Sequence, residues 1–296
     1  MSQKTYLVTG GAGFIGSHIV EELIKREHKV IVIDNLISGS RLNMESFMDS
    51  PLLKFFPLDV RYYSDIAPLF KNVDVVFHNA ASKCTVCRKN PMIDLLTNAY
   101  GSLNVFRAAQ YYGCEKVIHA STGSVNNGNP KSFYGASKMT AEKYLEVMCE
   151  YYPGFKYTVL QYYHVYGTRQ NDSDVGGVIP IFIKNMMSGQ PIKIYGDGEQ
   201  QRHFTKVKDV VKANMYALNK TCDMDTYQVM NQMSITINQL AATLREVIGD
   251  DRNPIIFEKA KLGDIKVFPE PTIRFPIEYD KDFAGGLKEI VNTYRK

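Results

Sequence analysis

Short runs of β-branched and aliphatic residues alternate, in the first half of the chain, with longer stretches whose apolar positions recur at helical period. The strand-like runs are Tyr6-Leu7-Val8, Lys29 to Ile33, Leu53 to Phe56, Val73 to Phe77, Lys116 to His119 and Tyr157 to Gln161. Between them lie amphipathic stretches, among them Ser17 to Arg26, Pro91 to Tyr112 and Tyr134 to Tyr151. Parallel strands need crossover connections, so this alternation predicts an α/β fold with a doubly wound parallel sheet. From about Gly167 the alternation breaks up around Gly176-Gly177, Gly189-Gln190-Pro191 and Gly196-Asp197-Gly198. The pattern therefore predicts a sheet-forming domain at 1–166 and a smaller, loop-rich substrate lobe at 167–296. The boundary is soft, because a strand after Gly198 can return to the large sheet.

Composition narrows the class. Apolar residues make up 45% and charged residues 22%, enough to bury a sizeable core. The net charge of +4 comes without a dense Lys/Arg block, which argues against a nucleic-acid partner. No apolar run approaches the length of about 18 residues that a membrane span needs. A strand-like run begins at Thr5, leaving no room for a signal peptide, and the expected compartment is the cytoplasm. The five cysteines lack framework spacing and read as reduced thiols. Cys84-x-x-Cys87 has no second pair at zinc-site spacing, so no metal is expected.

Chemistry enters at the first strand-to-helix junction, Thr9-Gly10-Gly11-Ala12-Gly13-Phe14-Ile15-Gly16. The spacing of Gly10, Gly13 and Gly16 permits a tight turn, close backbone approach to a pyrophosphate and close helix–sheet packing. Free N–H groups at the helix start then face the phosphates. The second strand ends in Asp34, whose carboxylate can accept from both adenosine ribose hydroxyls and would repel a 2′-phosphate. The expected cofactor is NAD, not NADP, on a Rossmann-type sheet. Tyr134 and Lys138 stand one helical turn apart on one face. A free phenol titrates near pH 10, and a neighbouring ammonium lowers that value. The phenolate can take a hydroxyl proton while hydride leaves the same carbon. Thr122, just beyond a strand end, can hold the reacting hydroxyl.

Together these residues resemble the extended short-chain dehydrogenases, in particular the nucleotide-sugar epimerases and dehydratases. The resemblance runs from Leu7 to about Asp264. It includes Asp34-Asn35-Leu36, Asp59-Val60-Arg61, His78-Asn79-Ala80-Ala81, Val165-Tyr166-Gly167, Val178-Ile179-Pro180, Ile194 to Gly198 and Lys261 to Asp264. It implies that Phe14, Ile15 and Asn35 join the cofactor site, with Asp59 and Val60 beside the adenine. It makes Ala80, Ala81, Asn98 and Tyr162 further cofactor neighbours. Val178, Tyr195, Arg202 and Lys261 fall where the family grips the nucleotide and its diphosphate. It also implies a homodimer built through helices like Pro91–Tyr112 and Tyr134–Tyr151.

Departures from the family pattern bear on the reaction. Family dehydratases and decarboxylases carry a carboxylate just after the catalytic Ser/Thr, whereas Thr122 is followed by Gly123 and Ser124. The segment between Thr122 and Tyr134 is shorter than in many relatives, which predicts a more open sugar pocket. His164 replaces the usual Asn, and either tunes the sugar site or is a core imidazole. Lys83 and Arg88 either hold an anion, such as a sugar diphosphate or a 2-keto acid co-substrate, or are solvated surface charge. The expectation is oxidation of a nucleotide sugar at C4 to a 4-keto product. The chain also resembles bacterial enzymes that oxidise GDP-heptoses during capsule polysaccharide synthesis. The alternatives are a 4-epimerase and a non-catalytic dinucleotide sensor; sensors typically lose the Tyr/Lys pair.

Overall fold

The structure is a computed structural model, and it describes residues 3–83, 90–125, 127–173, 176–260, 266–268 and 270–295. Cys84, Cys87, Arg88 and Lys261 lie outside the described residues.

Six strands of the first half form one sheet: β1 (Thr5–Thr9), β2 (Lys29–Ile33), β3 (Leu53–Phe56), β4 (Val75–His78), β5 (Lys116–Thr122) and β6 (Lys156–Tyr162). A seventh strand, β11 (Asp225–Val229), returns from the second half and pairs in parallel with β6. The order is β11-β6-β5-β4-β1-β2-β3, every pairing parallel. The strand order reverses between β1 and β4, and a crevice opens there beyond the carboxyl ends of the strands. Strands β4 and β5 are buried along their whole length on both faces, so neither shows the in/out alternation of a half-exposed strand.

The crossover helices cover both faces. The helix α1 (Phe14–Lys25) buries Ile19, Val20 and Leu23. These pack in one cluster with Val210 and Ala213 of α7 (Val207–Tyr216). On the other face Val105, Phe106 and Ala109 of α4 (Ser102–Tyr111) pack with Ala141 and Leu145 of α5 (Phe133–Tyr151). Between α1 and α4 lie the short helices α2 (Tyr63–Ile66) and α3 (Pro91–Asp94).

Two boundaries differ from the sequence pattern. Strand β5 runs on to Thr122, so Ser121 and Thr122 belong to the strand end itself. The stretch read as one helix from Pro91 is α3, then a π-helical segment Leu95–Gly101, then α4. A π turn inserts one residue per loop of hydrogen bonding, which apolar periodicity does not register.

The second half also forms a separate cluster around α6 (Val178–Met187), α8 (Ile237–Ile248) and α9 (Phe283–Tyr294). Ile179, Phe182, Leu240, Leu244, Phe283 and Leu287 meet there. Helix α8 starts with a capping box between Thr236 and Gln239 and stops at Gly249, whose φ of 77° suits a glycine. Small pairings complete this lobe: β7 (Val165–Tyr166) with β10 (Thr205–Lys206), β8 (Ile192–Tyr195) with β13 (Ile255–Glu258), and β9 (Gln201–Arg202) with β12 (Ile235–Thr236). Among the described residues, no helix is long and apolar enough to cross a membrane.

Candidate active site

A cavity of about 970 Å³ occupies the crevice. Its floor is the β1–α1 loop, where the backbone approaches too closely for side chains. At Gly10, with φ of 68°, a Cβ would come within 2.7 Å of the Ala80 backbone; at Gly16 it would meet the Gly10 carbonyl oxygen at 2.1 Å. Gly10, Gly13, Phe14, Ile15 and Gly16 all line the cavity. Helix α1 has no acidic residue in its first turn, so nothing competes there with a bound anion.

Asp34, directly after β2, is buried with its carboxylate in the cavity wall. Its oxygens accept from Ala12 N at 3.0 Å and Leu36 N at 2.8 Å. Burial pushes its pKa up, against hydrogen bonds from Leu36, Ala12 and Gly13. Gly39 folds over this carboxylate, where any Cβ would stand 2.9 Å from both oxygens. Sequence reasoning missed Gly39, because the contact depends on the path of a loop. Asn35 and Val60 line the same end. Asp59 is not in the wall: it accepts from Asn35 Nδ2 at 2.8 Å and pairs with Arg61 at 2.8 Å. It acts through Asn35, orienting a side chain that does reach the cavity. The glycine cradle and the buried ribose-side carboxylate fit NAD.

Across the crevice, Ala80 and Ala81 extend β4, and Lys83 follows on the same wall. Burial lowers the Lys83 pKa, and no ion pair of Lys83 is present among the described residues. Asn98 does not line the cavity. It sits in the π segment, where its Oδ1 accepts from Ser82 N at 2.7 Å and its Nδ2 donates to Asp94 at 2.5 Å and to Ser137 Oγ at 3.2 Å. The extra π-helical residue thus lets one side chain tie the end of β4 to the helix that carries the chemistry. Tyr162 closes the inner end, its hydroxyl paired with Asn214 at 2.8 Å.

Tyr134 and Lys138 enter the cavity from α5. Ser132 caps this helix by accepting from Gly135 N at 3.1 Å, which fixes the first turn and with it Tyr134. Lys138 is 1% exposed, and burial pushes its ammonium down to about 8, against the nearby charges of Glu142 and Asp94. A cation beside the phenol favours the phenolate, so the pair can move a proton near neutral pH. Ser121 of β5 lines the wall, whereas Thr122 does not; Thr122 Oγ1 accepts from Ser124 N at 3.1 Å.

At the position after Thr122 the chain carries no carboxylate, because residue 123 is glycine. A Cβ at Gly123 would meet the ring of Tyr163 at 2.4–2.7 Å, so Tyr163 fills the space a side chain at 123 would need. Tyr163 is held by Gln228, which also donates to Asn127 in the short loop at 2.8 Å and accepts from Thr272 N at 2.5 Å. His164 is half-buried, and desolvation drives its pKa down to about 3. Its ring stands edge-on to Phe268 at 4.7 Å, and Nδ1 has no hydrogen-bond partner among the described residues. Arg202 lies over the same Phe268 ring at 5.6 Å. Tyr195 ends β8, and Val178 opens α6 against the second-lobe core. None of His164, Val178, Tyr195 and Arg202 lines the main cavity.

A glycine-floored dinucleotide crevice with a Tyr134/Lys138 pair on its wall, the lysine buried, defines an NAD-dependent enzyme of the short-chain dehydrogenase class. The chain belongs to the NAD dependent epimerase/dehydratase family, whose model matches residues 6–231. A Methanocaldococcus jannaschii protein provisionally named a UDP-glucose 4-epimerase is 36% identical, over 97% of each chain. A UDP-N-acetyl-alpha-D-glucosaminuronate decarboxylase of Bacillus cytotoxicus is 34% identical, over 99% of this chain and 98% of its own. The structure of Thermotoga maritima UDP-glucose 4-epimerase with UDP-glucose superposes with a TM-score of 0.89, at 34% identity and 98% coverage of both chains.

Proposed function

We propose that the protein oxidises a nucleotide-activated sugar at one ring hydroxyl, C4, with NAD, giving a 4-keto sugar nucleotide. The observation that carries this reading is a Tyr134–Lys138 pair in the cofactor cavity with Gly123, sealed by Tyr163, where a second acid–base group would have to stand. Such a centre can move one proton and one hydride. It has no group at position 123 to drive elimination. The Tyr134 phenolate accepts the hydroxyl proton and Lys138 stabilises the phenolate; in this reading Thr122, set back from the wall behind Ser121, orients the hydroxyl from the rim of the cavity. Bound NAD supplies the hydride acceptor. In this reading Val178, Tyr195, Arg202 and Lys261 hold the nucleotide diphosphate and His164 shapes the sugar end. The half-buried Lys83 ammonium, with Arg88, suits a further anion such as a 2-keto acid oxidant.

The names of the M. jannaschii and T. maritima relatives favour a second reading, 4-epimerisation. The chemistry is the same up to the ketone, which an epimerase keeps, turns and reduces on its other face. The test is incubation with UDP-, dTDP- and GDP-sugars, a GDP-heptose among them, with and without 2-oxoglutarate, following NADH absorbance and product mass. A product two mass units lighter supports oxidation; an isomer of unchanged mass, formed without added oxidant, replaces it with epimerisation. We further propose a homodimer through α4 and α5, supported by the exposed Tyr144, Val147 and Tyr151 at helical spacing on one face of α5.

A further inference from the structure

The Tyr134–Lys138 face of α5 continues one more turn to Glu142, a carboxylate no step of the proposed reaction uses. It is 4% exposed. A carboxylate is not left in such a place without partners, and this one is clamped from two neighbouring strands. Ser121 of β5 donates to its Oε1, and Gln161 of β6 donates to both oxygens at 3.0 and 3.2 Å. Ser121 and Gln161 are themselves register partners in the sheet, so the clamp is part of the sheet. Ser121 also forms the cavity wall, which places the clamp directly behind the reacting centre.

Glu142 stands four residues from Lys138 on the same helix, so the two side chains are neighbours. The other groups around Lys138 are Tyr134 from its own helix, Asp94 from α3, His78 from β4 and His119 from β5. Burial holds both imidazoles neutral, well below their ordinary range, so neither adds charge near neutral pH. The negative charge facing Lys138 therefore comes from Glu142 and Asp94. Asp94 is already engaged by Asn98, at 2.5 Å. Around Glu142, the other acidic groups are Glu146 on the next turn and the Tyr163 phenol just beyond β6.

We propose that Glu142 is a positioning residue: its clamped carboxylate keeps the Lys138 ammonium charged, and so sets the pH range in which Tyr134 exists as a phenolate. This rests on the assignment of Tyr134 and Lys138 made above. The signs follow from Coulomb's law. Removing the carboxylate makes the buried ammonium harder to hold, so Lys138 loses its proton at lower pH. A neutral Lys138 no longer favours the phenolate, so Tyr134 then ionises at higher pH.

The test uses the NAD-loaded protein and needs no sugar substrate. Protein labelled at the lysine ε-carbon is titrated by NMR, with the Lys138 resonance assigned by its loss in Lys138→Met. Phenolate formation is followed by ultraviolet difference absorbance against Tyr134→Phe. In Glu142→Gln, Lys138 is expected to titrate about one pH unit lower or more, with phenolate absorbance displaced upward. Glu142→Asp, which keeps the charge, restores most of both. The unmodified protein gives an independent check if the Gln variant does not fold: its Lys138 resonance shows a second, acidic inflection as Glu142 titrates. An unmoved Lys138 or an unmoved phenolate in Glu142→Gln overturns the proposal, as does a single-step titration in the unmodified protein. A different failure, no Tyr134-dependent phenolate at any pH below about 9, removes the assignment of Tyr134 itself.

Discussion

At Asp34 one carboxylate serves both the fold and the proposed cofactor. Its oxygens already order the Ala12, Gly13 and Leu36 amides, and the same oxygens face the space for a ribose. Replacing it with Ala should therefore weaken NAD binding about tenfold or more and narrow the gap between NAD and NADP, as a lost charge-assisted pair of hydrogen bonds does. Calorimetric titration with both dinucleotides checks this, and an unchanged affinity ratio refutes the role. Tyr134→Phe keeps ring and packing but removes the proton carrier. Turnover should fall by about two orders of magnitude or more while NAD affinity is retained. These residues were legible in the sequence because each sits at a junction whose local pattern announces it: strand end, glycine turn, or a pair one helical turn apart. Glu142 carried the same helical signal, at i+8 from Tyr134. Its meaning depended on Ser121 and Gln161, which only strand register brings to it.

Among elements, the π segment and the short loop after β5 show what periodicity misses. The stretch from Pro91 was read as one helix, since its apolar positions keep helical spacing; the structure inserts Leu95–Gly101 so that Asn98 can reach Ser82, Asp94 and Ser137 together. The departure at Gly123 was visible, but its cause was not, because Tyr163 lies on the neighbouring strand's extension. That contact makes a sharp expectation. Gly123→Ala places a methyl group inside contact distance of a ring that is 1% exposed and tied to Gln228. Overpacking of this kind costs about 1–3 kcal/mol. Urea unfolding should show that loss, and Gly123→Ala/Tyr163→Leu should regain part of it. A Gly123→Ala protein as stable as the parent would mean that Tyr163 moves freely, and the sealed site would no longer argue against a group at 123.

Across the whole molecule, the alternation of strands and helices in the first half foretold the sheet, while the return of β11 was open until Asp225–Val229 found its place beside β6. A parallel strand arriving from a distant segment leaves no local mark on the sequence. Closing the sheet on both faces also buries polar groups, and this has a consequence for the pH dependence of folding. His78 and His119 are buried and His164 is half-buried, and desolvation holds all three below their ordinary range. His78 is anchored by Thr9 at 2.6 Å and Ser102 at 2.8 Å, but both nitrogens of His119 lack a hydrogen-bond partner among the described residues. In the unfolded chain each imidazole takes a proton near pH 6.5, which the folded protein refuses. Below that pH the unfolded state binds more protons than the native one, so stability falls with acid, by about 1.4 kcal/mol per pH unit for each histidine. His18 and His28, also lowered, act in the same direction. Asp34 and Glu142, whose pKa values burial raises, act in the opposite one at lower pH. The histidines are the larger group and titrate first. Urea midpoints should therefore be steady from about pH 7.5 to 7 and drop steeply from about pH 6.5 to 5.5, with a slope reduced by roughly a fifth to a third in His119→Phe. A flat midpoint across that range in the parent protein would show that the buried imidazoles are charged in the folded state, and would take the neutral environment of Lys138 with it.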